Sequence, residues 1–102
     1  MHLIQIFLPA RSDNKEPFAK ENYVRIRQTL TEKFGGLTAY TRAPAEGLWK
    51  DEENTTHKDE IVIFELMADE LNEAWWRNYK ENLERTFSQD KIIIRVQNLR
   101  IL

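Results

Sequence analysis

Apolar positions along the chain fall into four short runs, with two longer stretches of helical spacing between them. The first run, Leu3 to Leu8, is rich in β-branched and aromatic residues and reads as a strand. Pro9 ends it by removing a backbone donor. Ser12, Asp13 and Asn14 offer capping oxygens and Pro17 suits a first helical turn. From Phe18 the apolar residues Ala19, Tyr23, Ile26, Leu30 and Phe34 step by three and four, which predicts one buried helical face. Gly35-Gly36 stops that helix, because glycine accepts the left-handed conformation of a C-cap.

Leu37 to Arg42 reads as a second strand. Pro44 and Gly47 break regular pairing, which Leu48 and Trp49 resume at most briefly. Residues 50–60 carry acids and bases with no apolar residue and read as a polar loop. Ile61 to Met67 is a third strand. Asp69 is the expected N-cap of a second helix starting near Glu70. Its apolar stripe is Trp76, Tyr79, Leu83 and Phe87, flanked by Leu71 and Trp75. Glu73, Arg77, Glu81 and Arg85 repeat every four residues on the other side, a solvated ladder of alternating sign. Glu70 and Glu73 favour the helix dipole there. Ser88-Gln89-Asp90 turns the chain into a fourth strand, Lys91 to Asn98.

The order β-α-β-β-α-β predicts a single α+β domain over residues 1–102 with a ferredoxin-like, four-stranded antiparallel sheet. The expected strand order is 4-1-3-2, with both helices on one face. Strand parity then sorts the side chains. The helix-facing sets are Ile4, Ile6, Leu8; Leu37, Ala39, Thr41; Val62, Phe64, Leu66; and Ile92, Ile94, Val96. The opposite face mixes Leu3, Phe7, Tyr40, Ile61, Ile63, Met67 and Ile93 with Gln5, Arg42, Glu65, Arg95 and Gln97. An uncovered sheet face is ordinarily polar. So much apolar surface calls for a cover, and a second copy of the chain is the simplest one. The expectation is a homodimer closed through the open sheet faces, a dimeric α+β barrel.

Composition narrows the chemistry. Zero cysteines remove thiol nucleophiles, disulfides and thiolate metal sites. His2 and His57 are far apart in sequence, His57 in the charged loop beside Asp59 and Glu60, so no metal centre is expected. No GxSxG, Walker or GxGxxG pattern occurs, and no cofactor is expected. A net charge of −2 gives no global attraction to nucleic acid or membrane. An RNA-recognition module shares the element order, yet its third strand needs basic and aromatic residues where this chain has Glu65. The start shows no basic n-region, and no apolar run reaches the roughly 20 residues of a spanning helix, so a cytoplasmic location is expected.

The candidate ligand-binding residues are those polar groups that a face-to-face dimer would enclose: Tyr40, Arg42, Glu65 and Arg95. Enclosed charges must pair or face a ligand. Arg42 and Glu65 can form an interface ion pair across neighbouring strands, with Arg95 beside Gln5 and Phe7. Alternatively, Arg42 or Arg95 holds a small anionic ligand. Glu46, Trp49 and Lys50 are candidates for the lip of that pocket, since they follow a strand in an irregular segment.

The stretch Phe34-Gly35-Gly36-Leu37-Thr38-Ala39-Tyr40-Thr41-Arg42-Ala43-Pro44-Ala45-Glu46-Gly47-Leu48-Trp49-Lys50 resembles a block in small bacterial proteins of unknown function. That resemblance implies no activity. The element pattern as a whole is similar to that of dimeric α+β barrel proteins, which include cofactor-independent monooxygenases and small-molecule binders. Three functions are therefore weighed. One is a homo-oligomeric module that binds a small ligand or a partner. The second is an enzyme acting without a metal on a small aromatic or anionic substrate, bound by Arg95 or Arg42, with Tyr40 or Glu65 moving protons. The third is a PII-like regulatory oligomer acting through a loop over residues 44–60.

Overall fold

The computed structural model describes the backbone of residues 1–102 and every side chain except those of residues 40–47 and 57–59. The elements are β1 (His2–Pro9), α1 (Lys20–Phe34), β2 (Thr38–Lys50), β3 (Thr56–Ala68), α2 (Glu73–Thr86) and β4 (Ile93–Asn98). They form one antiparallel sheet in the order β2-β3-β1-β4, the expected α+β, ferredoxin-like arrangement.

Alternation in β1 and β3 makes the core. Ile4, Ile6 and Leu8 are fully buried, and their neighbours across the pair, Leu66, Phe64 and Val62, are buried with them. Ile26 and Leu30 of α1 and Trp76 and Leu83 of α2 close over the same side, together with Phe87. Aromatic rings lock the two helices to each other. Phe34 stacks on Trp76 at 5.4 Å, and Phe18 meets Phe87 edge-on at 4.9 Å. The Tyr23 hydroxyl donates to the Pro9 carbonyl at 2.6 Å and ties α1 to the end of β1. Val96 lies on the helix side by parity but stays 41% exposed, because β4 is an edge strand.

Four expectations about element ends are corrected. The first helix does not begin at Ser12, Asp13 or Asn14. Those residues close a turn in which the Ser12 N–H donates to the Glu16 carbonyl at 2.8 Å and Lys15 takes φ 66°. Glu16 precedes Pro17 and is thereby pushed out of the helical region, so the helix waits until Lys20, where Ala19 caps with no side-chain bond. Gly35 does end it, at φ 82°.

The second correction concerns residues 44–60. They are not a long loop: β2 runs on to Lys50 and β3 starts at Thr56, with a register shift between Tyr40 and Ala45. Pro44 falls within that shift, on an edge strand, where a missing donor costs least. The turn itself spans only 51–55, with the Asp51 carboxylate accepting the backbone N–H of Glu53 and of Thr55, each at 2.9 Å. The PII-like regulatory reading rested on a long loop and loses its basis.

Third, the cap of α2 is Asn72, not Asp69. Its side-chain oxygen accepts the Trp75 N–H at 3.1 Å. Ala68 still pairs with His2, so the chain needs 69–71 to leave the sheet. That delay sets Leu71 just before the cap and Trp76 four helical residues in, the positions of a hydrophobic staple. Glu70 consequently precedes the helix, and Glu73 alone of the two lies in its first turn. Fourth, β4 starts at Ile93 because the Ile92 N–H is taken by the Glu84 carboxylate at 2.9 Å.

Candidate functional site

The face of the sheet away from the helices carries the candidate site. Strand register lines its side chains into rows. One row, Thr38, Glu65, Gln5 and Arg95, crosses all four strands and is polar throughout. The row on one side holds Ile63, Phe7 and Ile93, and the row on the other holds Met67, Leu3 and Gln97. Across β1 and β3 a polar stripe therefore runs between apolar rows, and on β4 Gln97 widens it.

The stripe is organised by its own contacts. The Gln5 amide donates to the Glu65 carboxylate at 2.8 Å, and both side chains are half-buried. A bond to an ionised acceptor is worth about 1.5–3 kcal/mol net. It fixes the Gln5 amide across the strand pair. The Arg95 guanidinium sits over the Phe7 ring, 4.6 Å from its centroid. At an exposed site such a contact contributes about 0.5–1 kcal/mol. A carboxylate and a guanidinium thus stand two strands apart, roughly 10 Å at the usual strand spacing, with an amide between them.

At one end of this face, β1, β3 and the start of β4 border a cleft of about 710 Å³. Phe7, Ile61, Ile93 and Trp49 form its apolar wall, and its charged lining mixes Arg11, Lys15 and Lys91 with Asp13 and Glu60. Arg11 is held in place by the Glu60 carboxylate at 3.3 Å and by the Lys15 carbonyl at 3.1 Å.

Of the residues singled out from sequence, Glu65 and Arg95 share the polar row, and Trp49 lines the cleft. Lys50 is exposed at the end of β2 and does not line it. The side chains of Tyr40, Arg42 and Glu46 lie outside the described residues, and with them the Arg42–Glu65 ion pair, as does that of His57. Gln5 entered the sequence reading only as a neighbour of Arg95, yet it is the member that links the row. Its signal was available in parity and register, which set it between Glu65 and Arg95. Arg11 was missed because it lies beyond the expected end of β1, and Lys91 because it was read as the first residue of the fourth strand. Among the described residues, no group of three or more His, Asp or Glu side chains is placed to hold a metal ion. No helix among the described residues is long and apolar enough to cross a membrane.

No family model and no curated protein matches the chain. Solved structures that share its fold include two of a phage SAM lyase. A phage SAM lyase in complex with S-methyl-5'-thioadenosine superposes with a TM-score of 0.60 at 14% identity, over 94% of this chain and 79% of the other. A phage SAM lyase in its apo state gives 0.58 at 13% identity, over 94% and 78%. At such identities the likeness is one of fold, and it agrees with the α+β architecture described above.

Proposed function

We propose that the chain is a homo-oligomer, in its simplest form a two-fold dimer, that buries its open sheet face and binds a small aromatic or anionic ligand there. The polar row Glu65–Gln5–Arg95 set between apolar rows carries this reading. An interface built for burial alone gains nothing from a carboxylate and a guanidinium at its centre, because desolvating them is costly. A face that receives a ligand uses both. In this reading Arg95 meets the ligand's acceptor oxygens, Phe7 and Trp49 supply aromatic surface, and the Gln5–Glu65 pair orients a donor.

The assembly is tested by light scattering at micromolar concentration. The expected mass is at least twice 12.2 kDa. Ile63→Asp, placed in the middle of the open face, should give a folded monomer. A wild-type chain that is monomeric would overturn the oligomer and leave Leu3, Phe7 and Ile63 without cover.

A second reading, an enzyme on the same face, draws support from the fold it shares with a lyase that holds S-methyl-5'-thioadenosine. In that case Glu65 is the proton-moving group and Arg95 the substrate-binding one. Calorimetric titration with S-methyl-5'-thioadenosine, and chromatography of SAM after incubation with the protein, separate the readings. Binding without consumption of SAM supports the binding module. Consumption that Glu65→Gln abolishes supports the enzyme.

A further inference from the structure

The side of the molecule away from that face holds another groove, between the two helices. It encloses about 470 Å³ and is walled by side chains of both α1 and α2. On α1, Asn22, Arg25 and Thr29 step by three and four, and on α2, Asn78, Asn82 and Arg85 do the same. Two polar stripes at helical spacing therefore border one groove. Its lining contains two guanidinium groups and three amides but no carboxylate.

That imbalance is not forced by the sequence. Arg25 and Arg85 each have a glutamate four residues earlier, Glu21 and Glu81, in the arrangement that pairs readily on a helix. Two turns earlier on α2, Arg77 does pair with Glu73 at 3.4 Å. Neither Arg25 nor Arg85 forms an ion pair or a side-chain hydrogen bond with any described residue. The groove is thus bordered by two exposed guanidinium groups that have no ion-pair or hydrogen-bond partner among the described residues.

Tyr79 supplies part of the groove's aromatic lining. Its hydroxyl is shut off from solvent with no hydrogen-bond partner among the described residues. Leaving such a group unsatisfied destabilises the fold. Burial pushes the Tyr79 phenol up to about 12, so it remains a proton donor at neutral pH. Trp75 stacks on the same ring at 4.8 Å, making an aromatic floor.

We propose that the groove between α1 and α2 is a binding site for a small phosphorylated metabolite, its phosphoryl group held between Arg25 and Arg85 and its body laid against the Trp75–Tyr79 ring pair. Guanidinium forks match phosphate oxygens in pairs. Donors arriving from two helices match the three oxygens of a phosphoryl group, spread over a tetrahedron, better than the two coplanar oxygens of a carboxylate. The volume lies within the usual range for a small-molecule pocket, about 300–1,000 Å³. That leaves room beside the phosphoryl group for a sugar-sized body against Trp75. The site shares no residue with the open sheet face and stands or falls separately from the function proposed there.

The test is calorimetric titration of the full chain in low-salt, phosphate-free buffer, with inorganic phosphate, ribose 5-phosphate, ribose and succinate as probes. Ribose 5-phosphate should bind more tightly than inorganic phosphate, and ribose should not bind. Arg25→Gln and Arg85→Gln should each weaken ribose 5-phosphate by about tenfold or more. Tyr79→Phe separates a ligand role from a packing role. It should raise Tm, since an unsatisfied hydroxyl is removed, and leave ribose 5-phosphate binding as in the wild type. The proposal is overturned if neither phosphate probe binds at about 10 mM, if succinate binds as well as they do, or if the two arginine variants bind as the wild type does.

Discussion

On the helix side of the sheet Ile4, Ile6, Leu8, Phe64 and Leu66 are buried, and the Tyr23 hydroxyl and Glu84 carboxylate beside them bond to the chain's own backbone. One residue along each strand, on the open side, Leu3, Phe7 and Ile63 are only half-buried, and Met67 and Ile93 are about half exposed. The polar groups there reach across strands instead of tying down the backbone: Gln5 to Glu65, Arg95 to Phe7. Both faces are apolar enough to be cores, but one alone has been given a cover. The difference teaches where stability resides and where binding can be changed without touching it.

The sharpest way to break this contrast is a matched pair of truncations. Phe64 is fully buried between the sheet and α1, with Tyr23 edge-on to its ring at 6.4 Å. Phe64→Ala should cost about 3–5 kcal/mol in urea unfolding, from lost transfer energy and the cavity left behind. Phe7→Ala on the other face should cost the isolated chain less than about 1 kcal/mol, as for a substitution away from the core. It should nevertheless weaken self-association and release Arg95 from its ring. Equal losses from the two variants would mean that the open face already stabilises the single chain.

Much of this architecture was legible from alternation and helical spacing. Alternation through Ile4, Ile6 and Leu8 and the helical spacing of Ile26 and Leu30 pointed to the helix side, and the β-α-β-β-α-β order pointed to the sheet order. Element ends were less legible, because they depend on competition among several polar residues. Ser12, Asp13 and Asn14 each make a good cap by type, but Pro17 decides against them. Asp69 and Asn72 compete for α2, and the need to keep Ala68 paired and to seat Leu71 decides for Asn72. Charged residues hid the length of the β2–β3 hairpin, since an exposed arm needs no apolar alternation to pair. The polar row Glu65–Gln5–Arg95 was half visible. Parity gave its face, and only the register gave its order. The groove between the helices was invisible, because Asn22, Asn78 and Asn82 carry no sequence signal that separates them from a solvated helix surface.

If helix-side polar groups serve the backbone, removing one should cost stability locally and leave the open face unchanged. Asn72→Ala deletes the acceptor for the Trp75 N–H at the start of α2. The expected loss is about 1 kcal/mol, read as a lower urea midpoint, with faster amide exchange in the first turn of α2. Oligomer mass and any ligand affinity of the open face should stay as in the wild type. A change in either would show that the two faces are coupled through α2.

The smallest effect sharpens the same point through pH. The Glu84 carboxylate accepts the Ile92 N–H and lies beside Lys80 at 3.4 Å, and the backbone bond first, then the lysine charge, lower its pKa from the ordinary 4.5. A carboxyl that holds its proton less tightly in the folded chain than in the unfolded one adds stability above the unfolded value. That contribution is lost as pH falls from about 4.5 through the lower folded value. In Glu84→Gln the amide oxygen can still accept the Ile92 N–H, but it carries no charge and does not titrate. The wild type should therefore be the more stable near neutral pH, and the two melting curves should converge in acid. The variant's Tm should fall less steeply over that window. A parallel fall would mean that Ile92 holds the start of β4 without help from the charge, and that the bond from the Tyr23 hydroxyl to the Pro9 carbonyl does more than Glu84 to fasten the helix layer to the sheet.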